Sequence, residues 1–348
     1  MNLTLGKNTI GDGYPTYIIA EISANHGGEF ENVREIIKKA KEAGVNCIKI
    51  QTYTADTLTL NYNNQYFNIQ SGKWKGQNLY QLYQQANTPW EWQAEIKSEC
   101  ERNGLDFLST AYDHTSVDFL ESLNVSFYKI ASFELNDIPL LKYVAEKNKP
   151  ILLSTGMATL AEIDEAVQTI RKAGNEQLCL LKCTSSYPGI PEEMNLKIIP
   201  HMKHTFQVPV GLSDHSLGYL TAIIAVSLGA HIIEKHICLD REMETPDSSF
   251  SMEPQEFKLM VDEIRKTEKI LGKIEYGPVP SEASSLIFRK SIFISKDINA
   301  GEQFTKENIK VIRPAHGLHP RYYCEILGKK ARVNLKAGNP LDWFSIEE

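Results

Sequence analysis

No run of this sequence is long and apolar enough for a membrane span: the longest candidate, Leu220–Ile233, is short and runs into Glu234 and Lys235. Basic excess is also lacking. Lys and Arg number 37 against 44 Asp and Glu, a formal charge of −7, which argues against nucleic-acid binding and leaves no polybasic patch for a membrane surface. A locally basic site for an anionic substrate stays open. Met1–Ile10 has no basic segment leading into an apolar run, so no signal peptide is expected, and the expected location is cytoplasmic. Cysteines are few and show no pairing pattern: Cys179 and Cys183 lack CxxC spacing, and Cys100 and Cys324 have no evident partner. With Cys47, Cys179, Cys183 and Cys238 in strand-like apolar runs, a disulfide-free protein is expected. The glycine-rich dinucleotide fingerprint is missing, which counts against a doubly wound sheet.

What is present is alternation. Short β-rich runs recur at Thr16–Ser23, Cys47–Tyr53, Asp106–Tyr112, Phe127–Phe133, Pro150–Gly156, Leu178–Thr184, Val208–His215 and Ile232–Cys238. Helical patterns lie between them. In Thr159–Ala173, Leu160, Ile163, Ala166, Val167 and Ile170 recur at helical spacing, Thr159 with Glu162 makes a capping box, and Gly174 suits the end. Thr88–Glu91, with Pro89, suggests a second such start. Eight βα units in a row predict a TIM barrel. Its second connection, Thr54–Thr88, is long and rich in Asn, Gln and Tyr, the mark of a functional loop on the catalytic face. The expected division is a barrel over 1–275, a linker over 276–287 and a small β-rich domain over 288–348.

Charged residues stand where barrel strands need apolar ones. Cys47, Lys49 and Gln51 share one parity, as do Lys182 with Thr184 and Glu234 with His236; Lys129 and Glu21 interrupt two further strands. A buried lysine needs an anion, because an unpaired buried charge costs several kcal/mol. Two readings follow: Glu21 and Glu234 form internal salt bridges with the lysines, or a multiply charged ligand sits in the barrel mouth. Hydroxyls favour the ligand. Ser23, Thr52, Ser109, Thr110, Ser132, Ser154, Thr155, Thr184, Ser185 and Ser213 crowd the strand ends, where barrel enzymes build their sites and where hydroxyls and lysines hold phosphate and carboxylate. The expected ligand is a small phosphorylated acid. His215 (GLSDH) and His236 (EKH), on neighbouring strands, are candidate ligands for Mn²⁺ or Mg²⁺ as a Lewis acid. His114, His201, His204 and His231 read as helix or surface residues without a role.

These same stretches carry a resemblance. AEISANHGG (Ala20–Gly28), IKIQTY (Ile48–Tyr53), YKIASFE (Tyr128–Glu134), LSTGMA (Leu153–Ala158), KCTSSYP (Lys182–Pro188), GLSDHS (Gly211–Ser216) and EKH (Glu234–His236) resemble the sialic acid synthase family in order and spacing. KDINAGE (Lys296–Glu302), IRPAHGLHP (Ile312–Pro320) and ILGKKA (Ile326–Ala331) resemble its antifreeze-like (SAF) domain. IQTYTADTLT (Ile50–Thr59), SGKW with LYQLY, TPWEW (Thr88–Trp92) and PDSSFS (Pro246–Ser251) resemble the branch that makes pseudaminic acid. Ser185 stands where sialic acid synthases typically carry Asn.

The resemblance implies a transferase that condenses phosphoenolpyruvate with 2,4-diacetamido-2,4,6-trideoxy-L-altrose. Legionaminic acid or N-acetylneuraminate synthesis is the alternative, as are a 3-deoxy-aldulosonate synthase and a non-catalytic sugar-binding relative. By the same resemblance Lys49, Thr110, Lys129, Ser132, Ser154, Ser185 and Ser213 bind phosphoenolpyruvate, and His215 and His236 hold Mn²⁺ or Mg²⁺, with Co²⁺ also admitted. Glu21, Gln51, Glu134, Tyr187 and Asp247 surround the sugar and its reacting carbonyl, with Glu21 or Glu134 the proton-transfer residue. Arg313 reaches the sugar's acyl group, and the assembly is a domain-swapped homodimer.

Overall fold

The computed structural model describes residues 2–347. The chain divides into two compact units, Met1–Gly272 and Lys273–Glu348.

The first unit is a closed barrel of eight strands: β1 (Tyr17–Glu21), β2 (Cys47–Thr52), β3 (Asp106–Ala111), β4 (Tyr128–Ile130), β5 (Ile151–Ser154), β6 (Leu178–Cys183), β7 (Val210–Asp214) and β8 (Ile232–His236). Every pairing is parallel, and β8 closes on β1 with Ile232 beside Tyr17 and His236 beside Glu21. Strand parity sorts the side chains into two cores. One set, including Ile48, Ile50, Leu153, Leu180 and Ile233, packs outward against the helices. The other, including Ile19, Cys47, Leu108, Phe127, Leu152, Leu181 and Ile232, fills the barrel interior. A hairpin of Asn2–Leu5 and Asn8–Gly11 adds Leu3, Leu5 and Ile10 to that interior cluster. The amino-terminal stretch, polar on average, is therefore part of the barrel's packing.

Helix Leu160–Lys172 starts at the predicted Thr159–Glu162 capping box and ends before Gly174, whose φ of 90° suits glycine. The second predicted cap differs. Helix Trp90–Arg102 begins after an extended Pro89, so Thr88 lies one residue too far back, and its hydroxyl is buried without a partner. The long second connection is not structureless: it contains helices Ala55–Leu58 and Leu79–Ala86.

The second unit pairs Ser291–Ile294 antiparallel with Ile309–Ile312 around Ile292, Ile298, Phe304, Ile326 and Leu341. Isolated bridges, rather than further strands, complete its β character. All six cysteines are free. Among the described residues, no helix is long and apolar enough to cross a membrane.

Candidate active site

The barrel register sets inward-facing charges side by side at the carboxyl ends of the strands. Glu21 pairs in register with Lys49, Thr110 with Lys129, and Ser213 with Glu234. The result is a fully buried cluster: Lys49 Nζ lies 2.6 Å from Glu21 Oε2 and 3.3 Å from Glu234 Oε1, and Lys129 Nζ lies 3.7 Å from Glu234 Oε1. Internal salt bridges, one of the two readings of the sequence, are thus present. Burial opposes the charge on Lys49, but Glu21 and Glu234 outweigh it and raise its pKa. Lys129, with its one carboxylate farther away, is left lowered by burial. Burial likewise raises Glu21 despite Lys49, whereas the two lysines outweigh burial at Glu234 and lower it.

Above this floor opens a cavity of about 370 Å³. Its walls include Lys49, Gln51, Thr110, Lys129, Ser132, Glu134, Ser154, Tyr187, Ser213, His215, His236 and Asp247. Glu21 stands behind Lys49 and is reached by Gln51 Nε2 at 3.2 Å. Two of the hydroxyls serve the charges: Thr110 accepts from Lys49 at 3.3 Å, and Ser213 donates to Glu234 at 3.0 Å. Others are gathered for something else. Ser132 Oγ accepts the Gly156 N–H at 3.0 Å, while Ser154 Oγ is buried without a partner. A Cβ on Gly156 would lie 2.2 Å from Ser185 Oγ and 2.7 Å from Ser132 Oγ. Glycine there lets the backbone and these hydroxyls converge, an arrangement suited to phosphate oxygens.

One sequence expectation fails. Lys182 shares parity with Leu178 and Leu180 on the outward face, donates to the Cys183 carbonyl and Thr184 Oγ1 at 2.8 and 3.3 Å, and does not line the cavity. Cys183 takes the inward position on β6. Lys235, also outward, is neutralised by Asp214 at 2.7 Å. His231, read as a helix or surface residue, is in fact buried at the start of β8. Arg313 stands in the second unit, exposed.

Glu134 follows β4 on a short 3-10 turn. Burial pushes its carboxyl up to about 7, with Lys129 opposing, and its Oε2 is buried without a hydrogen bond. The histidines lie with ring centroids 5.3 Å apart. His215 Nδ1 is 3.1 Å from the Thr184 carbonyl and 3.8 Å from Cys183 Sγ. His236 Nδ1 is buried without a partner, and burial followed by His215 holds its pKa well below the ordinary value. A neutral imidazole with an unused ring nitrogen is the form that ligates a metal. The pair fits a cation completed by water or substrate oxygens, although among the described residues no three His, Cys, Asp or Glu converge as a closed site.

The outer wall was poorly visible in the sequence. The loop after β2 brings Leu58, Ile69, Trp74, Leu79, Leu82 and Tyr83 to the cavity, and Trp74 packs on Tyr187 at 5.6 Å between centroids. Lys73 bonds the Pro246 carbonyl and, at 2.8 Å, Ser249 Oγ, pinning this loop to the one after β8. Asp247, in that second loop, accepts the Ala24 N–H at 3.3 Å. The sequence signals for this wall are the length of the loop, its Asn, Gln and Tyr content, and the resemblance carried by SGKW, LYQLY and PDSSFS, which places Tyr187 and Asp247 but gives Trp74 no role.

Fold and site together define a parallel barrel with a lysine- and hydroxyl-lined cavity at the carboxyl ends of its strands, where barrel enzymes build their active sites. The sequence pattern of the NeuB family matches residues 36–276, and that of the SAF domain residues 289–347. The chain is 45% identical to the pseudaminic acid synthase of Campylobacter jejuni over 93% of its length and 95% of that protein's. It is 43% identical to that of Helicobacter pylori, covering 96% and 98%. The crystal structure of the spore coat polysaccharide biosynthesis protein SpsE of Bacillus subtilis superposes with a TM-score of 0.68 at 34% identity, covering 100% of this chain and 99% of that one. The chain belongs to the NeuB family, the sialic acid synthases, as its motifs suggested.

Proposed function

We propose that this enzyme condenses phosphoenolpyruvate with 2,4-diacetamido-2,4,6-trideoxy-L-altrose to give pseudaminic acid and phosphate. The observation that carries the chemistry is the paired-lysine floor beneath clustered hydroxyls, of which Ser154 Oγ is buried without a partner. The 43–45% identity to pseudaminic acid synthases over nearly the whole chain carries the choice of sugar.

In this reading Lys49, Lys129, Thr110, Ser132, Ser154, Ser185 and Ser213 hold the phosphate and carboxylate. Gln51, Tyr187 and Asp247 orient the open-chain sugar. His215 and His236 hold the divalent cation, Mn²⁺ or Mg²⁺ with Co²⁺ also admitted, which supplies Lewis-acid polarisation of the aldehyde. C3 of phosphoenolpyruvate attacks the aldehyde carbon, and the carbonyl π electrons move to oxygen. Glu134, whose carboxyl burial pushes up to about 7 and whose Oε2 is buried without a partner, gives that oxygen its proton from its protonated form. Water then adds to the cationic C2, and the Glu134 carboxylate takes the proton back. The C2–O bond to phosphate breaks as the new hydroxyl gives its proton to the leaving phosphate oxygen and becomes the ketone. Glu21, tied to Lys49 at 2.6 Å, sets the lysine's charge and position instead of moving the proton.

The domain assignment proposed is a catalytic barrel over 1–275, a linker over 276–287 and the antifreeze-like domain over 288–348. We further propose a domain-swapped homodimer in which the partner subunit's Arg313 reaches the acyl group of the sugar. Ile274 and Tyr276 are 96% and 97% exposed, with Ile270 at 83% and Phe288 at 61%, an apolar stretch that a second copy would cover.

Phosphoenolpyruvate carrying ¹⁸O in its bridging oxygen tests the chemistry, read by mass spectrometry. The label is expected in the released phosphate; label retained in the sugar acid would overturn C–O cleavage.

A further inference from the structure

The outer wall holds a hydrogen-bond donor with nothing to donate to. Trp74 Nε1 is buried and has no partner, in a side chain that lines the cavity with Lys49 and His215. Indole N–H is a donor only, and when buried it ordinarily finds an acceptor. The ring is held in place on two sides. Tyr187 packs against it, and its neighbour Lys73 reaches across to the loop after β8, with Nζ 5.7 Å from the Trp74 ring and 5.1 Å from that of Phe250. Leu58, Ile69, Leu79 and Leu82, from the same loop as Trp74, line the same cavity.

A lone donor beside an apolar wall fits a group with one acceptor oxygen and a methyl. Phosphate and carboxylate belong with the lysines of the floor, and a bare hydroxyl would leave the apolar wall uncovered. An acetamido group satisfies both features. Compared with N-acetylmannosamine, and besides its L-altro in place of D-manno configuration, the diacetamido sugar carries an acetamido in place of the C4 hydroxyl and a methyl in place of the C6 hydroxymethyl. Both sugars share the acetamido at C2, next to the reacting aldehyde. The one at C4 is the difference a specificity residue must read.

We propose that Trp74 is that residue, donating its indole N–H to the C4 acetamido carbonyl while the apolar wall takes the methyl. This rests on the substrate reading given above. A site that hydrogen-bonds its substrate through a buried group discriminates strongly against analogues lacking the partner.

The test is steady-state kinetics of Trp74→Phe, which keeps an aromatic ring and removes the N–H, with phosphoenolpyruvate and Mn²⁺. The KM for the diacetamido sugar is expected to rise about 10- to 100-fold, with kcat and the KM for phosphoenolpyruvate within about twofold of wild type. An unchanged sugar KM would overturn the role of Trp74, as would a loss shared equally by both substrates, the sign of a merely structural residue. Wild-type enzyme that turns over N-acetylmannosamine but not the diacetamido sugar would overturn the substrate reading itself, and the C4 contact with it.

Discussion

The floor and the rim of the cavity are built by different physics. The floor consists of strand residues fixed by register and buried almost completely; Lys49, Lys129, Glu21 and Glu234 are each at most 4% exposed. The rim consists of loop residues, the stretch after β2 and the one after β8, latched together by Lys73 and packed through aromatic faces. Charge chemistry needs groups that do not move, and strands supply them. Choice among sugars needs shape and single hydrogen bonds, and loops supply those without disturbing the barrel. In this account the floor decides that phosphoenolpyruvate reacts, and the rim decides with what.

That division can be broken at the floor first. Lys49→Met would leave Glu21 and Glu234 facing each other without their shared cation. Phosphate release is expected to fall about a thousandfold or more, with about 3–5 kcal/mol lost in denaturant unfolding. Lys182→Met is the matched control from the outward face, and its kcat/KM should stay within about threefold of wild type. Equal losses from the two substitutions would erase the distinction between the faces.

Glu134→Gln comes next, with an expected drop in kcat of about a hundred- to a thousandfold. The wild-type pH profile carries the sign. The protonated carboxyl is the acid, so kcat/KM should hold below about 7 and fall above it, following the Glu134 titration. In the Gln variant this limb should vanish. A profile that rises through pH 7 would make Glu134 a base in the first step. For the histidines, calorimetric titration with Mn²⁺ should show affinity at least about tenfold weaker in His236→Ala, and chelator-treated wild type should be inactive until Mn²⁺ returns. The smallest effect belongs to the rim: Lys73→Met should raise the sugar KM a few-fold and leave that of phosphoenolpyruvate alone.

The same contrast explains what the sequence revealed. Parity along strands of about five residues is a strong signal, so the eightfold alternation and the positions of Lys49, Lys129, Glu234 and His236 could be read directly. Parity misleads when a strand's phase is taken from its polar residues: Lys182 suggested an inward face on β6, while Cys179 and Leu181 occupy it. The ion pairs of the floor follow from which strands are neighbours, and the closed order of the barrel supplies that. The rim has no period to read. Trp74 stands in a run of Asn, Gln, Ser and Lys, and its place over Tyr187 depends on a tertiary bond between residues 73 and 249. The unmet cap at Thr88 has a related cause, a one-residue displacement of the helix start.

The most direct measurement of the central claim offers the enzyme phosphoenolpyruvate, Mn²⁺ and a panel of amino sugars that includes N-acetylmannosamine and 2,4-diacetamido-2,4,6-trideoxy-L-altrose, with the products identified by mass spectrometry. Pseudaminic acid is expected as the dominant product, formed with equimolar phosphate. Turnover of N-acetylmannosamine alone would contradict it.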